Sequence, residues 1–218
     1  MENTIEKLSF IRKNAKWVIC GIAIILVVII IKDVFETEML QCDILAYNFF
    51  VEFLRNDWLT VFFKVITWLG EAKILIAISL LSVFFLKNKK IAIAIAGNMI
   101  ISAIINWGLK HIVQRARPDG YRLIDESGYS FPSGHAMTCT AFYGLIIYFI
   151  YKNVENKLLR NVLCIILSLL IVLLCCSRVY LGVHYASDVL AGLFIAIAYL
   201  IIFTTIVKKY IFKDKTTK

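Results

Sequence analysis

Proline is almost missing from this 218-residue chain: Pro118 and Pro132 are the only two. The long apolar stretches contain neither, so they run free of the strongest helix breaker. Carboxylates are also scarce, 15 Asp and Glu against 24 Lys and Arg. They form no cluster of the kind a magnesium or zinc hydrolase needs, so no metal and no other cofactor is expected. Asp119, Asp125 and Glu126 share one loop but lack metal-site spacing, and they read as solvated. The six cysteines include no CxxC pair, and five (Cys20, Cys139, Cys164, Cys175 and Cys176) fall in apolar stretches. That pattern supports neither a disulfide framework nor a zinc site, and fits small apolar side chains better. Histidine occurs three times only, and two of the three prove informative.

What the chain does have is hydrocarbon. It is 61% hydrophobic, with a mean hydropathy of +0.81, well above the roughly half-apolar composition of soluble domains. Six spans of about 20 residues would use about 120 residues, which fits the length. The expected fold is an all-α polytopic membrane bundle of six transmembrane helices, a single domain over residues 1–218. Expected spans are 17–31, 74–86 extended back towards Trp68, 91–109, 134–151, 162–176 and 183–207. The first resembles a signal peptide in layout, but no small-x-small cleavage site follows it, so it reads as uncleaved. In residues 36–70, Leu45, Phe49, Phe53 and Leu54 recur at helical spacing among Asp43, Glu52, Arg55 and Asp57. This is either an amphipathic segment lying in the interface or a helix packed over the bundle.

The net charge of +9 does not point to nucleic acid, because the basic residues sit in short stretches between apolar blocks. There they fix topology and meet anionic head groups. Segments 1–16, 87–90, 152–160 and 208–218 hold fifteen of the twenty-four Lys and Arg, and with the N-terminus inside they all fall on one side. Both termini are therefore expected in the cytoplasm of a plasma-membrane protein. Three polar clusters then meet on the outer face: Lys110 to Pro118, Phe131 to His135, and Ser177 to Asp188.

Each cluster has a chemical reading. His184 and Asp188, four apart, are neighbours on one helical face, so the carboxylate fixes one imidazole nitrogen and leaves the other as a reactive lone pair. Arg178 offers a planar fork to phosphate oxygens. Ser133 and Gly134 precede a helix whose first N–H groups attract anions, and His135 is placed to act as a general acid. Lys110 and Arg117, seven apart, reach one anion together if their helix continues that far. Taken singly, each cluster is equally served by an interfacial histidine, a capped helix or ordinary basic anchors at a span end. Three cations, two imidazoles, one carboxylate and a helix start on one face are not. Cations of this kind neutralise phosphoryl oxygens without a metal.

K-x6-RP, PSGH and SR-x5-H-x3-D, in this order over residues 110–188, resemble the three signature motifs of the type 2 phosphatidic acid phosphatase superfamily, which also includes the vanadium haloperoxidases. The resemblance implies a membrane lipid phosphatase. Lys110, Arg117 and Arg178 would bind phosphate with Ser133 and Gly134, His184 would be the nucleophile oriented by Asp188, and His135 would protonate the leaving oxygen. The substrate class is a lipid phosphomonoester or diphosphate, with no nucleic acid and no obligatory protein partner. One departure is Asp119-Gly120 after Arg117-Pro118, where many members carry further prolines. The rival readings are a lipid-phosphate binder or transporter that kept the cradle, and a vanadate-holding haloperoxidase.

Overall fold

The computed structural model describes residues 2–211, with side chains from Asn14 onward. The basic residues counted for topology before Asn14 and after Ile211 lie outside these described side chains. The described residues form helices and no strand: α1 Glu2–Glu36, α2 Gln41–Tyr47, a π-helical turn Asn48–Phe53, α3 Asp57–Trp68, α4 Ala72–Phe85, α5 Lys89–Val113, α6 Gly134–Asn153, α7 Lys157–Tyr180 and α8 Ala186–Ile211. Five helices are long and apolar enough to cross a membrane, and six if α3 and α4, bent by 42° at a short break, make one span. The protein is a multi-pass membrane helical bundle.

Helix α6 is the axis. It packs against α5, α7 and α8, while α1 lies on α8, α3 on α7 and α4 on α5. Its Met137, Phe142, Leu145 and Phe149 are buried, whereas α1 turns Ile24, Ile25 and Val28 outward, as a lipid-facing helix does. Without a water-driven force between apolar helices, small residues and buried amides hold such bundles together. Asn98 on α5 donates to the Ala141 carbonyl at 3.0 Å, and Asn106 to the Pro132 carbonyl at 3.4 Å.

Gly192 shows how closely α8 approaches the start of α6. A Cβ there would lie 2.9 Å from the Ser133 carbonyl oxygen and 3.2 Å from the Met137 nitrogen, both backbone atoms that cannot rotate away. Gly192→Ala is expected to push α8 off the α6 N-terminus and cost about 1–3 kcal/mol, the usual penalty of overpacking. A lower thermal midpoint in detergent is the measurement that checks it.

The structure corrects the expected second span. Instead of one helix running back from residues 74–86 to Trp68, the chain breaks at residues 69–71 and resumes as α3, which begins at Asp57. Asn56 caps it, accepting the Leu59 N–H at 2.9 Å. Gly70 stands at the break because a Cβ would lie under 3 Å from side-chain atoms of Cys139, Leu174 and His135. In residues 36–56, Leu45 is 68% and Phe53 77% exposed, while Ala46, Phe50 and Leu54 pack against the bundle. The polar member points the other way: Asp43 is only 2% exposed.

Candidate active site

The three clusters come together where the ends of α5 and α7 meet the starts of α6 and α8. Lys110, in the last turn of α5, donates to the Tyr129 carbonyl and, at 3.4 Å, to that of Ser130. Helix α5 ends three residues later, and Gln114 adopts a left-handed cap at φ 53°. Arg117 is therefore not two helical turns along from Lys110, as the spacing allowed, but on the loop beyond. That loop folds back over the site through Leu123 N–H to the Leu181 carbonyl and Ser130 N–H to the Arg115 carbonyl.

Arg117 reaches into the site with a side chain 5% exposed. It donates to the carbonyls of Gly128, Ser127 and Val183 at 2.9–3.0 Å, and its Nη1 lies 3.0 Å from His184 Nε2. Arg178, 1% exposed, lies within α7, which outruns its expected end at Cys176 and closes at Tyr180. One of its arms donates to Thr67 Oγ1 at 2.6 Å, and the other to the Glu126 carboxylate.

Glu126 corrects a sequence reading. Rather than being solvated, its carboxylate pairs with Arg178 through one oxygen and lies 3.7 Å from Arg117 Nη2 through the other. Three cationic side chains crowd this corner, and a nearby anion offsets their mutual repulsion.

His184 is 3% exposed. The expectation that it lies on the helix with Asp188 is also amended, because α8 begins at Ala186. The two still meet, His184 Nδ1 standing 3.5 Å from Asp188 Oδ2, with Ser130 Oγ 3.3 Å from the same nitrogen. Ser130 Oγ donates to Asp188 Oδ2, which also accepts the Tyr185 N–H at 3.0 Å. Arg117 donates to Nε2, so Nε2 carries the lone pair and Nδ1 the proton. Burial, then Arg178, Arg117 and Lys110, hold the His184 pKa well below its usual 6.5. The sign favours the neutral ring: the uncharged form persists at neutral pH and below 6.5.

The second cluster divides its roles. Ser133 is fully buried, and its Oγ accepts the Ala136 N–H at 3.4 Å as the cap of α6. Its own N–H donates to the Asp188 carbonyl at 3.0 Å, which joins the start of α6 to α8. Gly134 opens α6. His135 follows, its Nε2 buried without a hydrogen-bond partner. It lines a cavity of about 520 Å³ with Thr67, Trp68, Glu71, Glu126 and Arg178, beside the break between α3 and α4.

Sequence reasoning missed Arg115, Asp43, Ser130 and Thr67. Arg115 had one available signal, being a third cation just two residues from Arg117. Asp43 had another, as a carboxylate amid apolar neighbours at a membrane edge, where charge is costly unless it is used.

The family model described as the PAP2 superfamily matches residues 91–212, more than half of the chain. The chain belongs to the PAP2 superfamily. Phosphatidylglycerophosphatase B of Bacillus subtilis is 30% identical over 175 residues, covering 78% of this chain and 86% of that protein. An undecaprenyl-diphosphatase of Sulfolobus acidocaldarius is 26% identical over 129 residues, 56% of this chain and 58% of that one. The crystal structure of the Bacillus subtilis transmembrane PAP2-type phosphatidylglycerolphosphate phosphatase superposes with a TM-score of 0.76 at 28% identity, covering 94% of this chain and all of that one. This PAP2 protein is therefore a membrane phosphatase of the lipid-acting kind.

Proposed function

We propose that the protein hydrolyses a lipid phosphomonoester or diphosphate through a phosphohistidine on His184, without a metal, at the outer face of the plasma membrane. The observation that carries this reading is the His184 ring. Its lone-pair nitrogen faces the Arg117 guanidinium, and its other nitrogen faces Ser130 and Asp188. Phosphate oxygens bind Lys110, Arg117, Arg178 and the first amides of α6 from Gly134, with Ser133 holding that helix start in place. Nε2 attacks phosphorus, the bond from phosphorus to the lipid oxygen breaks, and His135 gives that oxygen a proton. The imidazolium formed is balanced by Asp188 through Nδ1–H. Water then attacks phosphorus, its proton passes to His135, the P–N bond breaks and orthophosphate leaves.

The leaving group occupies the cavity beside His135, next to the break between α3 and α4. Among the described residues no three His, Cys, Asp or Glu are grouped to hold a metal. The positive-inside tendency supports cytoplasmic termini and a site on the opposite face. Phosphate release by chelator-treated protein from phosphatidic acid, phosphatidylglycerol phosphate and undecaprenyl diphosphate tests the proposal. Turnover of at least one lipid is expected, far above that of water-soluble phosphate esters. Equal rates on soluble esters, or dependence on added metal, would contradict it.

A further inference from the structure

The segment after the first span reaches the centre of the site through the side chain of Asp43. Asp43 Oδ1 accepts the Ser187 N–H at 2.7 Å, while Oδ2 accepts from Ser187 Oγ and Arg115 Nη2, both at 2.9 Å. Arg115 in turn donates from Nη1 to Asp188 Oδ1 at 2.7 Å and from Nη2 to the Glu38 carbonyl at 2.8 Å. Its guanidinium lies 4.0 Å from the Tyr185 ring centroid. Asp43, Arg115 and Asp188 are all buried, so one cation stands between two carboxylates in a setting where unpaired charge is costly. Burial alone would lower the Arg115 pKa, but Asp188 and Asp43 outweigh it and raise it above its ordinary value.

The split of this fork matters. A guanidinium facing a lone carboxylate tends to take both oxygens in a bidentate pair. Here Arg115 takes only Oδ1 of Asp188, because Asp43 and the Glu38 carbonyl hold its other arm. Oδ2 is thereby left to Ser130, to the Tyr185 N–H and to the Nδ1 side of His184.

We infer that Asp43 and Arg115 are positioning residues for the reaction: Asp43 restrains Arg115 to one oxygen of Asp188, keeping the other free to orient and charge-balance His184. This inference rests on His184 acting as the nucleophile. It makes the interfacial segment around α2 part of the catalytic apparatus rather than a membrane anchor alone.

Asp43→Asn is the direct test, in full-length protein with whichever of the three lipids turns over fastest. The asparagine oxygen still accepts the Ser187 N–H, but its amide NH₂ then faces Arg115 Nη2, donor to donor, and releases the fork onto Asp188. A fall in kcat of about tenfold or more is expected with KM within about twofold, since a misplaced catalytic group can cost up to about a hundredfold. Asp43→Asn combined with Arg115→Lys is expected to recover several-fold of that loss, because an ammonium cannot form the planar bidentate pair. A mere staple between segments would show no such recovery. Wild-type kcat in Asp43→Asn, or no recovery in the double variant, would overturn the inference. Should Asp43→Asn not fold, Asp43→Ser, which also removes the carboxylate that holds Arg115 Nη2, carries the test: a drop in kcat at constant KM supports the inference, and wild-type kcat overturns it. Absence of turnover in the unsubstituted protein, or full turnover in His184→Ala, would instead sink the phosphatase reading.

Discussion

His184→Ala is expected to lower lipid phosphate release at least about a hundredfold, in line with nucleophile deletions in other enzymes. His135 is the other imidazole in the site, and it faces the cavity rather than the Ser130–Asp188 pair. The loss is expected in kcat rather than in phosphate affinity. Arg117 keeps its bonds to the Gly128, Ser127 and Val183 carbonyls when the ring is gone, and Lys110 and Arg178 are untouched. Inhibition of a phosphate-binding readout by inorganic phosphate should therefore persist. A lipid-phosphate binder that kept the cradle would behave alike with and without the imidazole, so wild-type behaviour throughout would favour that rival.

Arg178→Lys is the second large effect, although it conserves charge. Arg178 is buried and uses its two arms in different directions, towards Thr67 Oγ1 and towards the Glu126 carboxylate in the phosphate cup. A lysine ammonium is a single point on a flexible stem and cannot hold both. Removing one preorganised donor from a developing phosphoryl charge costs about a hundred- to a thousandfold in rate. A loss in kcat/KM of at least about a hundredfold is expected for Arg178→Lys, and a larger one for Arg178→Ala, which also leaves a buried void. Michaelis profiles of the two variants check this. A lysine variant with wild-type kcat and KM would mean that Arg178 serves the fold and not the phosphate.

The sequence made the bundle legible because lipid imposes long apolar runs. The motifs carried most of the site, since Lys110, Arg117, Arg178, His184 and Asp188 are spaced along span ends that the fold joins. The broken span was not legible. Hydropathy does not mark a break at Leu69-Gly70-Glu71, and only tertiary contact explains why Gly70 must stand there. Glu126 was misread because loop carboxylates are usually solvated, and nothing local says that this one meets two arginines from distant positions. Asp43 was hidden for a similar reason. Its partners Arg115 and Ser187 lie 72 and 144 residues away, beyond the reach of any local pattern.

The carboxylate of Glu126 has one more implication. The chain itself supplies an anion that bridges Arg117 and Arg178. A phosphate that engages both guanidiniums has to evict it, so capture is an exchange of one anion for another. The affinity measured for any ligand that displaces it is then a difference between two occupants.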